Sequence, residues 1–534
     1  MPMAAAVLAA LTGGTDTFLT LARTVLARYT GATALLILIV GLGTATIGTG
    51  AAWRVTATRF PGRKVLEIVL ALPLAFPAYV LAYAYTDLLD HPGWVQSTLR
   101  DLTGWGPRDY WFPEIRSLGG AAAMLTRVLY PYVYLLARAA FLQQSATAYI
   151  AARTLGHSPW SAFFRVSLPV ARPAIAGGTL LALMETLADF GTVSYFAVQT
   201  FATGIYQSWV QFGDRGGAAQ LALCLLIVAL VMAAIEKRQR RDQRHHGAGQ
   251  RFEAMQRVDL KGWQAFGAIV FCTLPVLFGF LLPVLLLVVL GAPYFDNILT
   301  DRYVGFLQNS LTLASVAALV TVGGAIVLGF NARLHPTASS RAAIGIGGLG
   351  YAVPGGVIAV GLLVPFAAFD NALDAFMEAR FGIDTGLLIT GSIWLLVAAY
   401  TVRFMAAALS TYDAGLATIN PNMDAVARTL GRSPGGMLRG VHIPILTPSL
   451  LTALLIVFVD VMKELPATLI MRPFNFDTLA VQAHRLASDE RLSEAAVPSL
   501  VIVAVGMLPV ILVCISLGQQ ERRKAPAAKR GAPA

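Results

Sequence analysis

The chain has 534 residues, of which 56% are hydrophobic and only 13% are charged. Soluble globular proteins carry about 25% charged residues, so this composition excludes a soluble enzyme and indicates a membrane protein with many spans. The formal net charge is +11. The arginines are spread over several loops instead of one surface, and we therefore predict no nucleic-acid partner.

Apolar segments long enough to cross a bilayer as helices follow one another along the chain. Five lie before a basic segment, 236–261, and six lie after it, which predicts an all-α membrane protein with about eleven transmembrane helices. The predicted domains are a first transmembrane half over 1–235, the basic linker, a second half over 262–520 and a basic tail over 521–534. The predicted spans are 31–53, 64–88, 118–141, 173–198, 218–235, 263–290, 307–330, 342–368, 386–409, 449–471 and 495–517.

One polar loop occurs twice in the chain. The sequence AARTLGHSP at 151–159 returns as VARTLGRSP at 426–434. A Leu-Pro pair ending at Pro169 and an Ile-Pro pair ending at Pro444 follow at the same 275-residue distance. A constant distance over such a long stretch indicates a duplicated unit.

Each copy of the loop has the signals of two helices separated by a turn. A glycine can take the left-handed conformation that closes the first helix. A serine then stands at the N-cap of the second helix, followed by a proline at its first position. The second helix should end at the next proline, because the residue before proline is displaced from the helical region. These residues are Gly156, Ser158, Pro159 and Pro169 in the first copy and Gly431, Ser433, Pro434 and Pro444 in the second.

The odd number of spans has an explanation in the repeat. The counterpart of the span 263–290, moved back by 275 residues, begins before Met1. We therefore expect the leading helix of the first repeat to be truncated, and the remaining apolar stretch, 1–11, is too short to span a bilayer. A cleaved signal peptide is the competing interpretation, but this stretch lacks a basic n-region.

The positions of lysine and arginine predict the orientation of the spans. With alternating spans, both polar loops, the linker and the tail fall on the basic side, which the positive-inside rule makes cytoplasmic. The N-terminus is then periplasmic and the C-terminus cytoplasmic. The opposite side receives 91–116, whose tryptophans and tyrosines fit an interfacial belt.

Several kinds of active site find no support in the sequence. None of the six lysines follows a glycine, so the chain has no GxxxxGK[ST] phosphate cradle, and any energy from ATP must come from another subunit. The residues 431–435 match the GxSxG nucleophile pattern, but the sister loop does not, so Ser433 is better explained as a helix cap. The three cysteines lie singly in predicted spans, and the pair His245-His246 is a weak metal candidate. We predict no catalytic residue, no stable metal site and no cofactor on this chain.

The repeated loop resembles the signature loop of permease subunits of bacterial ABC importers, which docks in a groove of the ATPase. The common pattern is EAA, three residues, Gly, nine residues, a branched aliphatic residue, one residue and Leu-Pro. The family's glutamate is replaced by Ile150 in the first copy and by Ala425 in the second, where Asp424 is adjacent. The resemblance implies ATPase-docking loops formed by Ala152, Arg153, Gly156, Ser158, Pro159, Ala427, Arg428, Gly431, Ser433 and Pro434.

Over nearly its whole length, the chain is similar to the fused, two-repeat permeases of ferric-iron importers. The matching words are ETLADFGTV at 185–193, TGIY at 203–206, KELPAT at 463–468 and NFDTLA at 475–480. The resemblance implies two tandem repeats of the type I ABC importer transmembrane domain in the bacterial inner membrane. It also implies two copies of a cytoplasmic ATPase subunit and a periplasmic binding protein. Permeases for thiamine and phosphonates share the architecture and some of the words, so these cargos stay open.

Four carboxylates occupy matched positions in the two repeats. Glu185 and Asp189 are one helical turn apart, and Asp460 and Glu464 repeat this spacing 275 residues later. Acids in a membrane are costly and therefore functional candidates, and ferric iron is a hard cation that prefers oxygen ligands. We predict that the four acids line a translocation path around a pseudo-two-fold axis. The structural alternative is that they pair with Lys463 or cap broken helices.

Two other classes of protein share some of these features. A secondary transporter also has internal repeats and buried acids, but it does not need paired cytoplasmic docking loops. A membrane-embedded hydrolase needs a nucleophile or metal cluster, and the sequence indicates none. Purification together with a separate ATPase subunit distinguishes an importer from both.

Overall fold

Helices form almost all of the regular structure. The computed structural model describes residues 2–12, 15–106, 108–143, 152–243, 257–416 and 419–524. Two short strands, β1 (Thr58–Arg59) and β2 (Val258–Asp259), pair in parallel within these ranges. The prediction of an all-α protein is confirmed.

The helices are numbered in chain order, and some are joined by π-helical or 3₁₀ turns. The first half contains α1 (Pro2–Thr12), α2 (Thr15–Leu21), α3 (Ala27–Ala57), α4 (Arg63–Val69), α5 (Ala78–Leu89), α6 (Trp94–Thr103), α7 (Leu118–Gln143), α8 (Pro159–Ala162), α9 (Leu168–Ala188), α10 (Gly191–Tyr195), α11 (Phe201–Tyr206) and α12 (Arg215–Gln243). The second half contains α13 (Trp263–Val276), α14 (Leu282–Gly291), α15 (Asp301–Leu334), α16 (Ala338–Gly347), α17 (Gly355–Phe381), α18 (Ile393–Leu416), α19 (Pro421–Thr429), α20 (Pro434–Met437), α21 (Ile443–Met462), α22 (Pro466–Met471), α23 (Leu479–Ser488) and α24 (Leu492–Lys524). The π-helical turns are Ala22–Leu26, Phe163–Ser167, Gln207–Gln211, Leu277–Leu281 and Leu438–His442, and the 3₁₀ turns are Leu72–Ala75, Ala292–Leu299 and Gly350–Ala352.

The number of candidate spans agrees with the prediction. Ten helical segments of the described residues are long and apolar enough to cross a membrane. An eleventh is counted if the bent pair Arg63–Ala75 and Ala78–Thr103, which meet at 93°, makes one crossing. The straight span predicted over 64–88 is therefore wrong. Phe76 is extended, with φ −80° and ψ 130°, because it precedes Pro77, and this ends the helical path.

Three other predicted spans also contain a break in the helix. The span predicted over 342–368 is divided, because Val353 is extended ahead of Pro354 and α17 begins only after it. The spans predicted over 173–198 and 449–471 are too long at their C-terminal ends. Their helices end at Ala188 and Met462, and a short helix follows each break. Conversely, α12 continues beyond residue 235, where the linker was predicted to begin.

The chain folds into two compact units, each built from separate segments. The N-repeat unit comprises Arg28–Thr200, Val231–Phe295 and Leu486–Ala534. The C-repeat unit comprises Met1–Ala27, Phe201–Leu230 and Asp296–Arg485. The compact units therefore do not coincide with the two halves of the sequence. In the N-repeat unit α14 packs on α24 and α5, and in the C-repeat unit α1 packs on α17.

Glycines allow close packing of the long helices in the N-repeat unit. A Cβ atom on Gly178 of α9 would lie 2.7 Å from the Cα atom of Val133 in α7. A Cβ atom on Gly48 of α3 would lie 2.7 Å from Val133 Cβ. Small residues at helix contacts are typical of membrane proteins, where close van der Waals packing drives association. These contacts position α9, which connects the first polar loop to Asp189.

The C-repeat unit is built around α15, α18 and α21, which pack against one another. A Cβ atom on Gly329 of α15 would collide with Tyr412 Cε1 in α18. A Cβ atom on Gly415 would lie 2.6 Å from Ser449 Oγ in α21. This packing fixes α21, which connects the second polar loop to Glu464.

Candidate functional site

Both polar loops contain the predicted left-handed glycine. The φ angle is 87° at Gly156 and 72° at Gly431. The His157 N–H donates to Ala152 O at 3.1 Å, and a six-residue hydrogen bond of this kind closes a helix by the Schellman pattern. The second copy has the equivalent bond, from Arg432 N–H to Ala427 O at 3.0 Å. This part of the prediction is confirmed.

The predicted serine caps are also present. Ser158 Oγ accepts a hydrogen bond from the Ser161 N–H at 3.2 Å, at the start of α8. Ser433 Oγ accepts one from the Gly436 N–H at 3.2 Å, at the start of α20. Each cap satisfies a backbone donor that the helix itself leaves unpaired. The hydroxyl of Ser433 therefore has a structural partner, as expected for a cap.

The helix after each serine does not end at the Leu-Pro or Ile-Pro pair, and that prediction is wrong. In the first copy α8 enters the π-helical turn Phe163–Ser167 and continues directly as α9. Within this turn the Leu168 N–H donates to Phe163 O, five residues back. A wider turn keeps the ring of the next residue, Pro169, away from the carbonyl with which an α-helix would make it collide. The turn Leu438–His442 does the same ahead of Pro444.

The loop residues divide into an exposed set and a buried set. Arg153 and Arg428 are exposed, and so are Leu155 and Leu430, at 81% and 75%. These leucines were not among the predicted docking residues, although they lie in both copies of the repeated word. By contrast, Ala152 and Ala427 are buried and anchor the loops. The structure places the predicted docking residues at each loop, and their contact with an ATPase stays a prediction.

The buried alanines pack on different supports. Ala152 lies in a small apolar cluster with Ala162, Trp53 and Val166. Ala427 lies in an apolar cluster with Phe330 and Met437. Ile150, which stands at the position of the family's glutamate two residues before Ala152, lies outside the described residues.

The second loop has an ionic support that the sequence did not reveal. Asp424 is buried and accepts a hydrogen bond from Arg333 Nε at 2.6 Å. His442 Nε2 lies 2.8 Å from the other carboxylate oxygen. Burial acts to raise the pKa of Asp424, but the hydrogen bonds from Arg333 and His442 outweigh it and hold the pKa below its usual value. The only sequence signal was the position of Asp424 beside Ala425.

Asp189 lies at the break between α9 and α10. Its Oδ1 accepts hydrogen bonds from the N–H groups of Thr192 at 3.1 Å and Val193 at 3.2 Å. Its Oδ2 accepts the Thr192 hydroxyl at 3.0 Å. The carboxylate therefore caps the short helix α10. Glu185, one turn earlier, is half-buried.

Glu464 occupies the equivalent break in the second repeat. Its two carboxylate oxygens accept the N–H groups of Ala467 at 3.0 Å and Thr468 at 3.1 Å. These are the positions that match Thr192 and Val193, so both repeats cap the re-entering chain in the same way. The structural alternative, in which the acids cap broken helices, describes the observed contacts of Asp189 and Glu464.

Basic side chains accompany the acids of the second repeat. Lys463 Nζ lies 2.8 Å from Asp460 Oδ1, and Arg403 Nη1 lies 3.4 Å from Glu464 Oε1. The hydroxyl of Tyr400 also donates to Glu464, at 3.3 Å. The positions matching Tyr400 and Arg403 in the first repeat are Leu125 and Val128, which are apolar. The two acidic pairs thus have the same spacing but different charge surroundings.

The predicted ring of four acids is divided between the compact units. Glu185 and Asp189 belong to the N-repeat unit, and Asp460 and Glu464 belong to the C-repeat unit. Their meeting around one axis stays a prediction. In the described part of the chain, no group of three or more His, Cys, Asp or Glu side chains is arranged to hold a metal ion.

The described part of the chain thus combines ten or eleven candidate spans with two copies of a capped polar loop, as expected for a membrane transport permease. The family model for the binding-protein-dependent transport system inner membrane component matches residues 44–245. The chain is 30% identical over 192 residues to the molybdenum transport system permease protein ModB of Escherichia coli, covering 34% of this chain and 79% of ModB.

The similarity to a ferric permease extends over both repeats. The Fe(3+)-transport system permease protein FbpB 2 of Haemophilus influenzae is 26% identical over 489 residues, covering 90% of this chain and 88% of FbpB 2. The putative 2-aminoethylphosphonate transport system permease protein PhnV of Salmonella typhimurium is 33% identical over 122 residues, covering 23% of this chain and 46% of PhnV.

The chain therefore belongs to the family of binding-protein-dependent transport system inner membrane components. It is a fused, two-repeat permease with the type I ABC importer transmembrane fold, and it resembles the ferric-iron permeases. It is a multi-pass protein of the inner membrane, and its family works with an ATPase and a binding protein. The predicted family and fold are confirmed.

Proposed function

We propose that this permease imports ferric iron, delivered by a periplasmic binding protein and driven by ATP hydrolysis on a separate subunit. The observation that supports the cargo best is the similarity to FbpB 2 over 90% of the chain. The relatives named for molybdenum and 2-aminoethylphosphonate match shorter parts of the chain. These cargos, together with thiamine, are the alternatives.

Two copies of the ATPase subunit dock, in this proposal, on the two polar loops. The exposed Arg153 and Leu155, with Arg428 and Leu430, supply the contact surfaces. The buried Ala152 and Ala427 and the glycines and serines of both loops keep these surfaces in shape. Both loops face the cytoplasm, with the N-terminus periplasmic and the C-terminus cytoplasmic. The repeats 1–235 and 262–520 are joined by the cytoplasmic linker 236–261.

In this proposal the four acids differ in how strongly they attract a cation along the path. Lys463 and Arg403 compensate the charges of Asp460 and Glu464. In the described part of the chain, no ion pair involves Glu185 or Asp189, so the first-repeat pair has the stronger attraction for a trivalent cation. A cation that leaves water inside a membrane needs oxygen ligands and negative charge. The carboxylates of the first repeat therefore supply the main attraction along the path.

Reconstitution of the complex tests this proposal. The ATPase subunits should purify with the permease, and the binding protein loaded with ferric iron should stimulate ATP hydrolysis and uptake. Molybdate, 2-aminoethylphosphonate and thiamine serve as competing cargos with their own binding proteins. Stimulation by one of these and not by iron would reassign the cargo. A permease that purifies without any ATPase and transports under an ion gradient would instead be a secondary transporter.

A further inference from the structure

One carboxylate connects the second docking loop to two membrane spans. Arg333, Asp424 and His442, here called the Asp424 cluster, lie on three different elements. Arg333 is in the last turn of α15, Asp424 is in α19, and His442 ends the π-helical turn ahead of α21. The two hydrogen bonds of Asp424 therefore join α19 to the ends of α15 and α21.

The cluster also fixes the entry to α19. Arg333 Nη2 donates to Ile419 O at 3.1 Å, just before the Asn420 cap of this helix. The ring of Phe330, one turn ahead of Arg333, contacts the His442 ring at a centroid distance of 5.1 Å. The ionic contacts through Asp424 and the aromatic contact of Phe330 thus both connect α15 to the π-helical turn ahead of α21. Asp424 is 6% exposed and His442 is fully buried, so water competes little for these bonds.

The first docking loop is held in another way. Trp53 contacts the rings of Phe163 at 4.8 Å and Phe141 at 5.2 Å, beside the buried Ala152. The position that matches His442 is Ser167, and the position that matches Asp424 is Tyr149, which lies outside the described residues. An Asp–His pair is therefore absent from the sequence of the first copy. Its support among the described residues is aromatic.

We propose that Asp424 is a positioning residue for energy coupling, because it makes α19 move together with α15 and α21 when an ATPase subunit displaces the second loop. The proposal rests on the docking function proposed above. It predicts an asymmetry between the loops: removal of a buried charge at the second loop uncouples hydrolysis from transport. The first loop transmits motion through the packing of Trp53 and is insensitive to such a change.

The test uses the reconstituted complex with its ATPase subunits and binding protein. Asp424→Asn keeps the size of the side chain and removes its charge. We expect the ATPase subunits to stay bound and to hydrolyse ATP, while transport per ATP falls about tenfold, within the usual range of coupling between sites. His442→Gln keeps a donor toward Asp424 and should retain coupling, whereas His442→Leu should lose it. The exchanged pair Arg333→Asp with Asp424→Arg should restore part of the coupling that either single change removes.

Arg341→Met is the control for the loss of an arginine on the same side of the protein. Arg341 is exposed in α16, so the change should leave transport per ATP at the wild-type value. Thermal unfolding of every variant is measured in parallel. Wild-type coupling in Asp424→Asn would overturn the proposal. So would a loss of ATPase binding that parallels the loss of transport, because it would mean that Asp424 only keeps the loop in shape for docking. A wild-type complex that binds no ATPase would contradict the docking function itself.

Discussion

At the scale of single residues, Asp189 and Glu464 have a structural function beside the transport function proposed for them. Each accepts two backbone N–H groups at a helix break, which stabilises the short helix that follows. Glu464 also accepts Tyr400, Arg403 and the Thr468 hydroxyl, which occupies its lone pairs. Asp189 accepts three hydrogen bonds among the described residues, so a cap and a transient ligand for a passing cation are compatible functions of this side chain.

The substitution Asp189→Asn separates the helix-capping function of this residue from its proposed function in the cation path. In Asp189→Asn one oxygen can still accept the N–H groups of Thr192 and Val193, so the cap is kept and the charge is lost. Ferric uptake should fall by about tenfold or more, since about 1.4 kcal/mol is already a factor of ten in rate. Thermal stability should stay near the wild-type value. Uptake and thermal unfolding are measured together.

Two further variants complete this test. Asp189→Ala also removes the cap and should lower the free energy of unfolding by about 0.5–2 kcal/mol. Asp214→Asn is the matched control, because Asp214 caps the Gly217 N–H at 2.9 Å but lies outside the proposed path. Normal uptake in Asp189→Asn would remove this residue from the path. Equal losses of uptake in Asp189→Asn and Asp214→Asn would point to a general effect of helix caps.

The depressed pKa of Asp424 predicts a pH-dependent contribution to stability. Its partners Arg333 and His442 favour the carboxylate in the folded protein. A carboxyl group with a lowered folded pKa stabilises the fold fully above its unfolded pKa of about 3.9, and this contribution is lost as the pH falls through the folded pKa. The thermal midpoint of Asp424→Asn should therefore lie below that of the wild type at neutral pH. The difference should shrink below about pH 4, and a difference that grows there would contradict the assignment.

At the scale of secondary-structure elements, the docking loops depend on two glycines. A Cβ atom at Gly156 or Gly431 would meet nothing within 4 Å, so the cost of a side chain there is a backbone cost alone. The positive φ angles are the reason. A side chain at either glycine would therefore strain the backbone of the loop, even though there is space for it.

Substitution of these glycines should uncouple the importer. Gly156→Val with Gly431→Val should cost about 1–2 kcal/mol at each site if the left-handed turn is kept, and otherwise change the shape of the loop. Uptake and ATPase co-purification should fall, while membrane insertion persists. Gly435→Val is the control, because this glycine also has free space but no positive φ. Normal uptake in the double variant would contradict the docking role of the loops.

At the scale of the whole molecule, the predicted orientation connects the candidate spans to the two proposed partners. In the predicted orientation, loops on the basic side meet the ATPase and the aromatic segment 91–116 lies on the opposite side. Within that segment Trp94 is 69% and Trp111 85% exposed, as expected for side chains at a membrane interface.

Cysteine labelling in intact inner-membrane vesicles and cells tests this orientation. In a background without Cys224, Cys272 and Cys514, a cysteine placed at Asp16 should react with an impermeant thiol reagent from the periplasmic side. A cysteine placed at Ala527 should react only after the membrane is opened. Protection of both from the periplasmic side would place both termini in the cytoplasm and contradict the predicted topology.

The sequence alone determined the features that depend on neighbouring residues. Apolar segment length predicted the class and the number of spans, and the repeated word predicted the left-handed turn at Gly156 and Gly431 and the caps at Ser158 and Ser433. These features are local, because a turn or cap is fixed by a few consecutive residues. The two-repeat fold was predictable from the constant 275-residue shift, and the family from the resemblance of the repeated loop and the matching words to known permeases.

Only the tertiary structure decided the features that join distant residues. Arg333 and Asp424 are 91 residues apart, and Tyr400 and Glu464 are 64 residues apart, so spacing along the chain cannot predict either contact. The helix breaks after Ala188 and Met462 lie in segments whose apolar length alone predicts a continuous span, although Pro466 marks the second break locally. There the carboxylates of Asp189 and Glu464 satisfy the backbone donors that a continuous helix would have paired internally, and this packing makes the break stable.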